Sequence, residues 1–175
     1  MTTVSMDSAD VNWCNVLTHH AGRTPDKALT LFEGTAVTYG EMARRVAALA
    51  GGLSGRGVGP GDVVAILSYN CPEFLESLFA ANHLGAIAMP INWRLAAPEV
   101  RYILEHSGAR ALVCDASLLL LANEATVGLE DALVRVSISP VDDPAWTFLG
   151  DLRTGSTRAP RVAAQVPNSG RRLES

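Results

Sequence analysis

Val63-Val64-Ala65-Ile66-Leu67, preceded by Gly61-Asp62 and followed by Ser68-Tyr69-Asn70, is the run on which the fold turns. An apolar run with no polar alternate describes a strand covered on both faces, as in parallel sheets. Downstream, Pro72 suits the first turn of a helix in which Phe74, Leu75, Leu78, Phe79 and Asn82 recur at helical intervals until Gly85. Ile87 to Ile91 follows as the next strand, with Pro90 near its end, where a missing amide harms the ladder least. Pro98 and Glu99 then open a helix carrying Val100, Ile103 and Leu104, and Gly108 ends it. A strand from Ala111 to Cys114, a helical stretch from Ser117 to about Ala125 and a strand from Val134 to Ile138 continue the alternation. Strands and helices in this order predict an α/β fold, a largely parallel sheet with helices on both faces.

Upstream, Asn12 to His20 places Trp13, Val16, Leu17 and His20 at helical spacing before Gly22 and Pro25. Ala28 to Phe32 and Thr35 to Thr38 flank Glu33-Gly34, a hairpin pattern. Thr38 and Glu41 have the spacing of a capping box, with Val37 and Met42 as its hydrophobic staple. Met42, Val46, Leu49 and Leu53 then line one helical face, and the glycines from Gly51 onward are expected to end the helix.

The chain has 175 residues, 48% of them hydrophobic, and a net charge of −4, so it offers no basic field for nucleic acid. Cys14, Cys71 and Cys114 are far apart and lack close His or Cys partners, which argues against a disulfide framework or a zinc site. They read as buried thiols in a reducing cytosol. The longest aliphatic run, Leu118 to Ala122, is far short of the roughly 20 residues a membrane span requires. A soluble, cytoplasmic protein is expected. Lys27 is the only lysine among 14 basic residues, and its Pro25-Asp26-Lys27-Ala28 setting excludes a Walker phosphate loop.

The glycines at 55, 57, 59 and 61 precede a strand, whereas a dinucleotide-binding fingerprint follows one. Ser68 stands at a strand-to-helix junction without the glycines of a nucleophile elbow. His83 and His106 fall on helices as structural or exposed residues. Asn92-Trp93-Arg94 leaves the carboxyl end of a strand, where open parallel sheets place ligands. Arg94 there either meets an acyl or nucleotide group or pairs with a carboxylate such as Glu99, and the pairing is the preferred reading. Pro140-Val141-Asp142-Asp143-Pro144 is a loop, Trp146 to Leu149 a last apolar patch, and Arg153, Arg158, Arg161, Arg171 and Arg172 punctuate an Arg/Ser/Gly/Pro-rich stretch. The domain is therefore expected over 1–150 and a disordered tail over 151–175.

Four blocks in fixed order add a resemblance: Thr38-Tyr39-Gly40-Glu41-Met42, Gly57 to Ile66, Asn70-Cys71-Pro72-Glu73-Phe74, and Leu84 to Leu95. Together they resemble the opening of the adenylate-forming ligases, most closely the acyl-CoA synthetase branch. Pro90-Ile91-Asn92-Trp93-Arg94-Leu95-Ala96-Ala97-Pro98-Glu99 looks more like fatty or aryl acyl-CoA ligases than peptide-synthetase adenylation domains, which tend to carry Asp in place of Asn92. Fatty acid is the preferred substrate class.

The resemblance implies a partial N-terminal subdomain of that fold. It also implies a parent reaction in which ATP and a carboxylic acid give an acyl-adenylate, from which coenzyme A displaces AMP. ATP, magnesium and coenzyme A are thus implied for the parent family and no cofactor for this fragment. The family's phosphate loop should follow a segment like Pro140 to Leu152, but the chain continues Asp151-Leu152-Arg153-Thr154-Gly155-Ser156-Thr157-Arg158-Ala159-Pro160. The family's acyl pocket, phosphate loop, magnesium-binding carboxylate, ribose-binding Asp and late lysine are all expected beyond Ser175. No catalytic, cofactor-binding or metal-binding residue is assigned, and a truncated ligase inactive by itself is expected. The alternatives are a binding module that docks on a full-length ligase or a separate remainder, with self-association possible, and a small nucleotide-binding enzyme of another class.

Overall fold

The alternation of strand and helix follows the order the apolar runs predict. A computed structural model describes residues 13–155. The elements are α1 (Trp13–Arg23), β1 (Ala28–Phe32), β2 (Thr35–Thr38), α2 (Tyr39–Ser54), β3 (Val63–Leu67), α3 (Pro72–His83) and β4 (Ile87–Ile91), followed by α4 (Ala97–Ser107) and β5 (Ala109–Cys114). A 3-10 turn at Ala116–Leu118 then leads into α5 (Leu119–Ala125), β6 (Val134–Ser137), β7 (Thr147–Phe148) and α6 (Leu149–Thr154).

The main sheet has the order β4-β3-β5-β6-β7, with each neighbouring pair parallel. Its centre explains the unbroken apolar run of β3. Val64 points into a core built from Leu49 and Leu53 of α2, Ala80 and Ala81 of α3, and Leu149 and Leu152 of α6. Ala65 and Leu67 enter a second core with Val100 and Leu104 of α4 and Ala122 and Ala125 of α5. β5 divides in the same way, Ala111 and Val113 to the first core, Leu112 and Cys114 to the second. Both faces are covered, so alternation in polarity would bury unpaired groups.

β1 and β2 form a separate antiparallel hairpin. Its two-residue turn has Glu33 at φ 50 and Gly34 at φ 78, the left-handed pair that matches strand twist. The Thr38 hydroxyl accepts the Glu41 amide at 3.2 Å, which caps α2. Only that half of the capping box forms, since the Glu41 carboxylate turns to Arg45 one turn on. Val37 and Met42 share a third core with Cys14 and Leu17, as a staple requires.

Three expectations need correction. The glycines from Gly51 do not end α2, which continues to Ser54. A Cβ on Gly52 would lie 2.4 Å from the Leu152 carbonyl oxygen, so this glycine admits α6 rather than stopping α2. In α3 the inward residues are Glu76, Ser77, Ala80 and Ala81, while Leu75 and Phe79 pack on the third core beside α1. Small side chains let α3 approach the sheet, and the large ones fill the gap on its flank. In α1, Cys14 and Leu17 are buried and Trp13 is 66% exposed. Asn12, the expected start of that helix, lies outside the described residues.

The apolar patch from Trp146 adds a short parallel strand and a docked helix. Residues 151–154, assigned to a tail by composition, are helical, and Leu152 is buried. The remainder of the expected tail, 156–175, lies outside the described residues. No helix of the described residues is long and apolar enough to cross a membrane.

Candidate functional site

Two segments meet at the carboxyl edge of the sheet, one leaving β3 and the other leaving β4. The Tyr69 and Trp93 rings lie 4.8 Å apart between centroids, and the Arg94 guanidinium carbon sits 3.9 Å above the Trp93 ring. A tight turn sets this placement: the Arg94 amide donates to Asn92 Oδ1 at 3.1 Å, and the Leu95 amide donates to the Asn92 carbonyl at 3.1 Å. A cation over an indole face gains about 0.5–1 kcal/mol where solvent reaches it.

The expected ion pair between Arg94 and Glu99 does not form. Glu99 Oε2 instead accepts the Ala96 amide at 2.9 Å and caps α4. Among the described residues Arg94 has no carboxylate partner. The site is therefore an exposed cation on an aromatic platform, a geometry suited to an anionic or planar group.

The rest of that edge is structural. The Ser68 hydroxyl is buried and donates to the Tyr69 carbonyl at 2.9 Å, so it is not presented as a nucleophile. Asp115 ties β5 to β3 through its amide on the Leu67 carbonyl, and its carboxylate accepts the Ser117 amide and hydroxyl. Burial pushes the Cys114 thiol up to about 12, aided by the Asp115 charge, and the Cys14 thiol up to about 11. Cys71 is half-buried, unlike the other two thiols, and burial raises it as well. His83, lowered by burial, lies with Nδ1 3.2 Å from Cys14 Sγ. His106 stacks on Tyr102, Tyr39 rests beside His20, and the glycines from Gly57 to Gly61 form the turn before β3. Among the described residues no three His, Cys, Asp or Glu side chains gather to hold a metal ion.

One charged pair escaped the sequence reading. Glu76, with 0% exposure, is gripped by Arg153 through two parallel hydrogen bonds, Nε to Oε1 at 2.7 Å and Nη2 to Oε2. Burial raises the Glu76 carboxyl, and the Arg153 hydrogen bonds and charge pull it back. The signal was available: Glu76 falls in phase with Ala80 on the helix, inside a charge-poor stretch.

A family model described as AMP-binding enzyme matches residues 17–168, and the chain belongs to that family. A feruloyl-CoA synthase of Amycolatopsis sp is 47% identical over 93 residues, 53% of this chain and 19% of that protein. An indoleacetate–CoA ligase of Aromatoleum aromaticum is 36% identical over 157 residues, 85% of this chain and 29% of the relative. Among solved structures, the anthranilate CoA ligase AuaEII in complex with anthranoyl-AMP superposes with a TM-score of 0.81 at 25% identity, covering 91% of this chain and 32% of that one. A Mycobacterium tuberculosis fatty acyl CoA synthetase gives 0.70 at 28% identity, covering 87% and 30%. The chain thus spans less than a third of each of these proteins, and the shared fold is that of the N-terminal part of adenylate-forming ligases.

Proposed function

We propose that this chain supplies the N-terminal α/β subdomain of an acyl-CoA ligase. The whole enzyme's reaction is then two-step. A carboxylate oxygen attacks the α-phosphorus of ATP, pyrophosphate leaves, and the coenzyme A thiol then attacks the acyl carbon and releases AMP. The observation that carries the reading is Arg94, an exposed guanidinium stacked on Trp93 at the carboxyl edge of a parallel sheet, with no carboxylate partner among the described residues. Its role is to meet an anionic group of the nucleotide substrates, and Trp93 holds it in place. Fatty acid remains the proposed acyl class, beside the aryl acids that several relatives' names carry.

By themselves these 175 residues are proposed to be inactive. Their only lysine, Lys27, is exposed in the loop before β1, outside any phosphate-loop motif. The partner is a polypeptide carrying the remaining ligase domains, in the cytoplasm. The β4 edge supports such docking, since Ile87 is 56% exposed there.

Co-expression of the chain with the remaining length of the Aromatoleum ligase tests the proposal. Acid-dependent pyrophosphate release and thioester formation are expected from the pair and from neither half alone. Arg94→Ala should lower the pair's rate roughly tenfold, the scale of one charged hydrogen bond. A pair that copurifies but forms no acyl-adenylate, or a chain active alone, overturns it.

A further inference from the structure

Of the four long helices α1 buries the fewest residues, Cys14 and Leu17, both in the third core. A helix this short does not keep its shape in water without such packing. Cys14 also meets His83 in the last turn of α3, its Sγ 3.2 Å from Nδ1. The other ring nitrogen, Nε2, is sealed from water and has no hydrogen-bond partner. Whichever nitrogen carries the proton of the neutral ring, the imidazolium must donate from both. Cys14 Sγ stands ready to accept from Nδ1, but a charged N–H at Nε2 meets neither water nor a protein acceptor, which is costly. Opening the structure around the ring relieves that cost, and α1 is the element that yields most readily.

Among the described residues no countercharge offers another escape. The elements packed on α3 are α1, α2, β3 and β4, and neither strand carries an ionisable side chain. α1 brings Cys14, His19, His20 and Arg23, and α2 brings Tyr39, Glu41, Arg44 and Arg45. Of these only Cys14 bonds to the ring. Glu41 turns to Arg45, while Glu73 and Glu76, on α3 itself, turn to Arg45 and Arg153. We propose that His83 is an acid-sensitive latch for α1: protonating its ring releases the helix and uncovers the apolar face formed by Met42, Val46, Leu75 and Phe79. Burial lowers His83 in the closed state, so that state holds the proton less tightly than the open one. Closure is therefore firmest above the ordinary imidazole value of about 6.5 and weakens as pH falls below it. The latch needs no ligand and stands independently of the ligase reading.

Amide hydrogen exchange on the 175-residue chain, corrected for the pH dependence of exchange itself, tests the latch. The opening of α1 relative to α5, a helix without histidine, should rise up to about tenfold between pH 7.5 and pH 5.5, because the open-state ring takes up a proton over that interval. His83→Met should remove the rise. His19→Gln combined with His20→Gln should keep it, since both of those side chains are exposed. Ring-proton shifts of His83 in the unaltered chain give a second reading that does not depend on a variant folding, and the ring should titrate below about 6.5. A ring that titrates at or above that value, an α1 opening constant from pH 7.5 to pH 5.5, a rise shared equally by α5, or a rise retained in His83→Met would overturn the proposal.

Discussion

Arg153 of α6 and Glu76 of α3 are far apart in sequence yet form a two-pronged ion pair in which the carboxylate is fully shielded from water. Glu73 and Arg45 extend the network, each at 3.9 Å from its neighbour. Such a pair adds little net stability over an apolar replacement, but removing one partner strands a buried charge. Arg153→Ala is expected to cost about 3 kcal/mol, the low end for buried pairs because the Arg153 side chain keeps 25% of its surface exposed. Glu76→Met combined with Arg153→Met should recover most of the loss. Urea unfolding of the parent chain and these two variants measures both effects.

The same pair predicts a pH dependence. Glu76 is raised in the folded state, chiefly by burial, so the folded protein holds that proton more tightly than the unfolded chain. Its contribution therefore falls as pH rises from the unfolded carboxyl value through the folded one. Without Arg153 the carboxyl rises further, because the groups that pulled it back are lost. The deficit of Arg153→Ala should shrink as pH is lowered from 7 through that raised value, since a neutral carboxyl needs no cation. A deficit that stays constant as pH falls from 7 to below the ordinary carboxyl range would show that Glu76 is not the origin of the loss.

Gly52 gives a prediction against helix propensity. An alanine in mid-helix ordinarily gains about 1 kcal/mol over glycine. Here the new methyl would meet the Leu152 carbonyl oxygen at 2.4 Å and the Leu152 Cβ at 2.8 Å. Gly52→Ala is expected to lose about 1–3 kcal/mol as α6 is pushed off α2. Gly22 is the control, with nothing within 4 Å of its added Cβ and a place in α1, so Gly22→Ala should be neutral or stabilising by up to about 1 kcal/mol. Thermal melts should fall for Gly52→Ala and hold or rise for Gly22→Ala.

What the sequence disclosed follows from the range of the physics. The β3 run, the Glu33-Gly34 turn, Thr38 capping α2 and Gly108 closing α4 at φ 62 are local, since each depends on residues a few positions apart. Gly52 and Arg153 were misread because their reasons lie across space, in Leu152 and Glu76. Composition placed Arg153 in a solvated tail, yet the helix that carries it completes one face of the sheet. At the candidate site, the strand-end position of Arg94 was legible. Its choice of Trp93 over Glu99 depends on the Asn92 turn and on Glu99 capping α4, which spacing does not reveal.

The thiols provide a last prediction, from burial alone. Cys114 and Cys14 are buried and shifted up to about 12 and about 11, so both remain protonated and shielded at pH 8. Cys71 is half-buried, at the N-cap of α3, and its upward shift by burial is opposed by hydrogen bonds from Ser68 and from the Phe74 amide. Thiolate is the reactive species, so a native protein titrated with a thiol reagent at pH 8 should release one fast equivalent, from Cys71. Cys71→Ser should abolish that phase, and denaturant should expose the remaining two. The fast rate should climb as pH rises toward the raised Cys71 value, because each step in that direction increases the thiolate fraction. A fast phase that survives in Cys71→Ser would mean that α1 opens often enough to expose Cys14, and would place the weakest docking in the fold at that helix.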